Sequence, residues 1–159
     1  MTMSATDHGA QAPRVPIAAA WLGGLGLLPF IALALATGLA TSPLKATALQ
    51  GLLFYGAVIL SFLGGIHWGA EMMRSAARAD HGIDATRLAL SVVPSLIGWA
   101  ALLLDVRIGL VLLAAGFAAQ LLIDLRATRQ GLAPSWYPKL RKPLTTIVVA
   151  ALVAALLGS

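Results

Sequence analysis

Charge is spaced along this chain in a way that leaves few folds open to it. No Lys, Arg, Asp or Glu falls between Arg14 and Lys45, between Lys45 and Glu71, between Arg87 and Asp105, between Arg107 and Asp124, or after Lys142. Each gap reaches or approaches the run of ~20 apolar residues with which a helix crosses ~30 Å of hydrocarbon. A chain that is 59% hydrophobic and only 11% charged also lacks the polar surface of an ordinary globular domain. The predicted fold is all-α, an integral membrane bundle of five transmembrane helices.

The expected spans are 17–40, 46–71, 88–104, 106–125 and 144–157. They form one transmembrane domain, 17–159, behind a disordered tail at 1–16 that is polar and rich in small residues. The apolar run after Arg14 is longer than a signal-peptide core, so it is expected to be retained. The corner "LLDVRI" separates the third and fourth spans, because one helix through it would run to ~54 Å, too long for a single crossing. The fifth span is the shortest and the one expected to sit unusually.

Basic residues then orient the bundle. With five spans, Arg14, Arg74, Arg78, Arg87, Arg126, Arg129, Lys139, Arg141 and Lys142 share one side, and only Lys45 and Arg107 lie on the other. Short loops with such a bias place the basic side in the cytoplasm, so the N-terminus is expected there and the C-terminus opposite. The formal charge of +5 is thereby explained through topology and contact with membrane lipids, without nucleic acid.

Within the spans, "FLGGIHWGAEMMR" is the densest concentration of chemistry. His67 and Glu71 are four residues apart and so share a helix face near the cytoplasmic edge of the hydrocarbon. Asp124, at the cytoplasmic end of the fourth span, lies at the same level. Ionisable groups at this depth are costly and mark either helix-tying pairs or ligand and proton pathways. "APSWYPKLRKPL", with three prolines, is expected to follow an extended or turning path along the headgroups, or to fold back so that Arg141 meets Glu71 or Asp124. Trp68, Trp136, Tyr137 and Arg141 complete the candidate ligand-binding set of His67, Glu71 and Asp124. Trp21, Trp68 and Trp99 also suit interfacial anchoring.

Small residues form a second pattern. Ala57, Ser61, Gly65 and Gly69 recur every four residues with Gly64 beside them, and Gly23 and Gly24 precede Pro29 in the first span. Such stripes let helix backbones approach closely in lipid, and the first two spans are expected to pack on each other. Pro94 is expected to kink the third span.

The blocks "LGLLPF", "YGAVILSFLGGIHWG", "VPSLIGWAALLL" and "WYPKLRKPLT" together resemble the domain of unknown function 3429 family, in order, from Trp21 to Thr146. The resemblance implies a small multi-pass protein of bacterial inner membranes or of mitochondrial membranes. It brings no catalytic residue and no cofactor.

Several classes are disfavoured. There is no Cys, and of three His two lie in the tail and a loop, so a metal site lacks ligands and a haem would have a single axial His67. No phosphate-binding loop or nucleophile elbow is present, which argues against an enzyme. Two functions remain. The first is a structural or assembly protein packing against other membrane subunits or its own copies. The alternative is a protein that binds or transports a lipid, quinone or proton-linked small molecule through the polar cluster.

Overall fold

A computed structural model of the protein describes residues 14–77 and 82–159. Most of the predicted tail, together with His8, Arg78 and His81, lies outside the described residues. The fold is all-α: α1 (Ile17–Leu25), α2 (Leu28–Leu39), α3 (Ser42–Ala77), α4 (Ala85–Leu103), α5 (Val106–Arg129) and α6 (Tyr137–Gly158). With α1 and α2 taken as one crossing of 23 residues, five helices among the described residues are long and apolar enough to span a membrane.

The helix of the first crossing is interrupted between α1 and α2. Pro29 has no N–H to continue the ladder and disfavours helical geometry in the residue before it. The chain nevertheless keeps right-handed dihedrals through Gly26 and Leu27, and the Tyr55 hydroxyl of α3 donates to the Gly26 carbonyl at 3.0 Å. The interruption is thus tied to a neighbouring helix. α1 leans on α6, where Gly23 faces Leu140 and Leu144, while α2 packs on α3.

α3 is longer than the span expected from hydropathy. Its 36 residues extend about 54 Å at 1.5 Å per residue, so it reaches well past the hydrocarbon and carries Arg74 and Ser75 with it. The fifth crossing also differs from expectation. Helix begins at Tyr137 and runs through Pro143, and α4, at 19 residues, is the shortest crossing. Pro138 occupies the first turn, where no N–H is needed. A local reading of these prolines as extended chain misses the pull of Arg141, whose buried partner lies on another helix.

Bulky apolar side chains cover the outside as well as the inside. Leu39, Phe54, Phe62, Trp99 and Leu157 are exposed, while Phe30, Leu52, Leu60, Leu113, Phe117 and Leu152 fill the centre. Lipid is as apolar as leucine, so close packing has to hold such helices together. Phe30 meets Tyr55 and Phe117 edge to face at 5.0 and 5.8 Å. Glycines set the closest approaches. A methyl at Gly64 would strike the Ser91 carbonyl oxygen of α4, beside Pro94, and one at Gly98 would meet the Ala57 backbone at 3.0 Å. At Gly109 it would meet the Ala101 carbonyl at 2.5 Å, which pins the α4–α5 corner.

The helix ends sort into two levels. Asp105 caps α5 through the Arg107 N–H at 2.9 Å, and the Arg107 side chain reaches the Ser159 carbonyl, so the α5 start and α6 end share one level. At the other level α5 ends in a left-handed Gly131 (φ 70°), with Leu132 N–H returning to the Ala127 carbonyl at 2.8 Å. This helix-ending motif turns the chain back over the bundle towards α6.

Candidate functional site

The candidate site lies where the basic ends of α3, α4, α5 and α6 meet. α5 contributes Asp124, only 1% exposed, in a helix otherwise almost free of charge at that depth. Three side chains converge on its carboxylate. His67 Nε2 of α3 lies 2.8 Å from Oδ1, Gln120 Nε2, one turn earlier on α5, donates to Oδ1 at 3.3 Å, and Arg141 Nε of α6 donates to Oδ2 at 2.6 Å. A carboxylate only accepts, so the geometry assigns the Nε2 proton to His67. The buried Asp124–Arg141 pair joins α5 to α6, and His67 joins α3 to both.

Glu71, also 1% exposed, belongs to a neighbouring network. Arg74 Nη1 donates to Oε2 at 2.8 Å, and the Asp84 backbone N–H donates to Oε1 at 3.3 Å. Asp84 caps α4 by accepting from the Arg87 N–H at 3.2 Å and the Arg87 Nε at 2.8 Å. The Arg87 backbone hydrogen bond leads the effects that hold the Asp84 carboxyl below its ordinary range, against a partial desolvation that raises it. Arg74 also donates to the Leu132 carbonyl at 3.4 Å, which ties the turn after α5 to α3. Glu71 therefore clamps the α3–α4 connection, and it does not join Asp124 directly.

His67 and Glu71 nonetheless face one cavity of about 250 Å³ between α3, α4 and α5. Arg74, Arg87, Ser91, Gln120 and Arg126 also line it. Arg87 Nη1 is buried and has no hydrogen-bond partner among the described residues. Among the described residues Glu71 is the one carboxylate on this wall; Arg74 pairs with it and Arg87 pairs with Asp84, so Arg126 is the positive charge left over at the cavity.

The other expected site residues separate. Trp68 is 44% exposed on the outer face of α3, away from the cavity. Trp136 and Tyr137, in edge contact at 5.9 Å, line a different and more apolar cavity that includes Arg141 but not His67. Among the residues expected to pack, Gly23 and Gly64 contact α6 and α4, and the Ser61 hydroxyl bonds back to the Ala57 carbonyl at 2.8 Å. A methyl added at Gly24, Gly65 or Gly69 would meet nothing within 4 Å among the described residues. Sequence reasoning passed over Gln120, Arg74, Ser91 and Arg87. A lone amide one turn before Asp124 in an otherwise apolar run was the available signal for Gln120. Among the described residues no three of His, Asp and Glu gather closely enough to hold a metal ion.

The sequence profile described as "Protein of unknown function (DUF3429)" matches residues 15–157. The chain belongs to this family. It is 34% identical over 148 residues to transmembrane protein 69 of Xenopus tropicalis, covering 91% of this chain and 55% of that protein. It is 32% identical over 134 residues to transmembrane protein 69 of Mus musculus, covering 83% of this chain and 52% of the mouse protein. The chain thus spans about half the length of these relatives. No solved structure matches it. This member of the DUF3429 family is a multi-helix membrane protein, in keeping with its relatives' name and its five apolar helices.

Proposed function

We propose that this DUF3429 member binds a small anionic molecule, or the anionic part of a lipid headgroup, in the cavity beside His67. The observation that carries the reading is the buried Arg87 Nη1, unpartnered among the described residues, in a cavity that also carries Arg126 and whose Glu71 is already paired. A buried donor without an acceptor is costly, and an incoming carboxylate or phosphate oxygen removes that cost. Asp124, itself held by Arg141 and Gln120, fixes the His67 ring at the cavity wall. In this reading the basic end faces the cytoplasm or its organellar equivalent, following the nine-to-two division of Lys and Arg. The membrane is then a bacterial inner membrane or a mitochondrial inner membrane.

Thermal unfolding of the detergent-purified protein with inorganic phosphate or succinate tests it. An anion at ten times its Kd stabilises by about 1.4 kcal/mol, or roughly 3–6 °C for a chain of this size. Arg87→Gln should abolish the shift and leave the protein folded. No shift with either anion, or an equal shift in the variant, would remove the proposal.

A second reading, assembly with other membrane subunits or a second copy, rests on Gly65 and Gly69. Both are exposed on the outer face of α3, with the close-approach surface of a packing stripe left uncovered by this chain. Gly65→Leu with Gly69→Leu should release any co-purifying membrane subunit without unfolding the bundle. Retention of the same subunits in that variant counts against assembly through this face.

A further inference from the structure

A second cavity, lined by α1, α2, α3 and α6 with Phe117 of α5, includes Arg141 but not His67 and has a volume of about 510 Å³. That size lies within the ~300–1,000 Å³ range of small-molecule sites. Its walls are mostly apolar, with Leu27, Phe30, Leu63 and Leu144 among them, and Leu22 and Phe62 at its lining are exposed on the outer surface of the bundle. The cavity is therefore approached from the lipid.

Two polar groups interrupt this apolar lining. Arg141 and Thr145 are 7% and 3% exposed, and both line the cavity. Arg141 Nη2 and Thr145 Oγ1 are buried with no hydrogen-bond partner among the described residues. The two residues are one turn apart on α6 and so share a face. Most hydroxyls at such a position in a helix bond back to the preceding turn, as those of Thr128 and Thr146 do here at 3.0 and 2.9 Å. The Thr145 hydroxyl does not.

We propose that this cavity binds a neutral lipid whose head carries a carbonyl oxygen, held by Arg141 Nη2 and the Thr145 hydroxyl. A carbonyl oxygen has two lone pairs and accepts from both donors at once. Charge selects against an anionic head, because the Arg141 guanidinium is already neutralised by Asp124 through its Nε at 2.6 Å. An added anion would leave net negative charge in an apolar wall, whereas a carbonyl satisfies both donors without adding any. Trp136 and Tyr137 stand one turn before Arg141 and give a flat head an aromatic neighbour. The same carbonyl chemistry is offered by the ring of a prenyl quinone and by the ester of an acylglycerol. Both donor atoms are shielded from the cavity by neighbouring atoms, so entry requires a lining side chain to change rotamer. The inference uses different donors and a different cavity from the anion site beside His67.

Native mass spectrometry of the protein released from mild detergent, titrated separately with decylubiquinone, dioleoylglycerol and dioleoylphosphatidic acid, tests the proposal. A saturable one-to-one adduct with decylubiquinone or dioleoylglycerol is expected, and the probe that forms it identifies the source. Thr145→Val keeps the side-chain shape and leaves the Asp124–Arg141 pair intact. It should weaken that adduct about 3- to 10-fold, the worth of one hydrogen bond, while Arg87→Gln leaves it unchanged. No saturable adduct with either neutral probe, or an adduct indifferent to Thr145→Val, would overturn the proposal. Preferential, Thr145-dependent binding of the phosphatidic acid would overturn it equally, by showing an anion site.

Discussion

The two ends of the bundle use the same residue types under opposite rules. At one end Asp105 and Arg107 are exposed, and Asp105 is satisfied by a backbone N–H two residues away. At the other end Asp124 and Arg141 are buried, and Asp124 is satisfied by partners 57 and 17 residues away in sequence. A local cap stabilises one helix end and tells little about neighbours. A buried carboxylate shared by α3 and α6 fixes how three helices stand to one another. The basic end is thus where fold and site depend on the same atoms.

The largest expected effect follows from that difference. Asp124→Ala leaves the Arg141 guanidinium buried without its counter-charge, which in comparable buried pairs costs about 3–5 kcal/mol. Asp105→Ala removes an exposed cap, for which about 0.5–2 kcal/mol is typical. SDS-driven unfolding in mixed micelles, followed by tryptophan fluorescence, should rank the variants in that order. Asp124→Asn, which still offers an acceptor to Arg141 and His67, should fall between them. Equal losses at the two ends would break the comparison and place Asp124 on a solvated surface.

This contrast also explains how much was legible in the sequence. Gaps between charges located all five crossings, because the cost of charge in hydrocarbon acts on every residue independently of its neighbours. The i,i+4 spacing put His67 and Glu71 on one face, and the depth of Asp124 followed from span count. Lateral placement did not follow, since nothing local says that α6 lies against α5 or that Glu71 turns to Arg74 and Asp84 instead of Asp124. The start of α6 was misjudged for the same reason. Pro138 and Pro143 speak for extended chain locally, whereas the helix from Tyr137 is supported by a pair between Arg141 and a residue on α5.

A smaller effect sharpens the comparison within α3, on two adjacent glycines. Gly64→Ala puts a methyl into the Ser91 carbonyl oxygen, which is backbone and cannot rotate away. Parting α3 from α4 to admit it should cost about 1–3 kcal/mol, the usual scale of overpacking. Gly65→Ala meets nothing within 4 Å and replaces a flexible residue by a better helix former. It should leave the isolated bundle unchanged or more stable, by about 0.5–1 kcal/mol. If both variants lose stability alike, Gly65 is covered by another chain, and the same SDS titration at two protein concentrations would separate that case from a monomer defect.

The smallest effect concerns pH, and it sets Asp84 at the basic end against the deeper carboxylates. The Arg87 backbone N–H, aided by its guanidinium, favours the ionised form of Asp84 in the folded protein. A carboxyl whose folded pKa lies below its unfolded value stabilises the fold above the unfolded pKa, near 3.8 here, and loses that contribution as pH falls through the folded value. Acidification from pH 5 to 3 should therefore loosen the start of α4, and the slope should diminish in Asp84→Asn. Hydrogen exchange at the Arg87 and Leu88 amides reads this locally, where a global melt would mix it with the response of the rest of the bundle. Faster exchange on acidification, after correction for the intrinsic pH dependence, would place acid sensitivity at the α3–α4 connection. An unchanged slope in Asp84→Asn would remove Asp84 as its source.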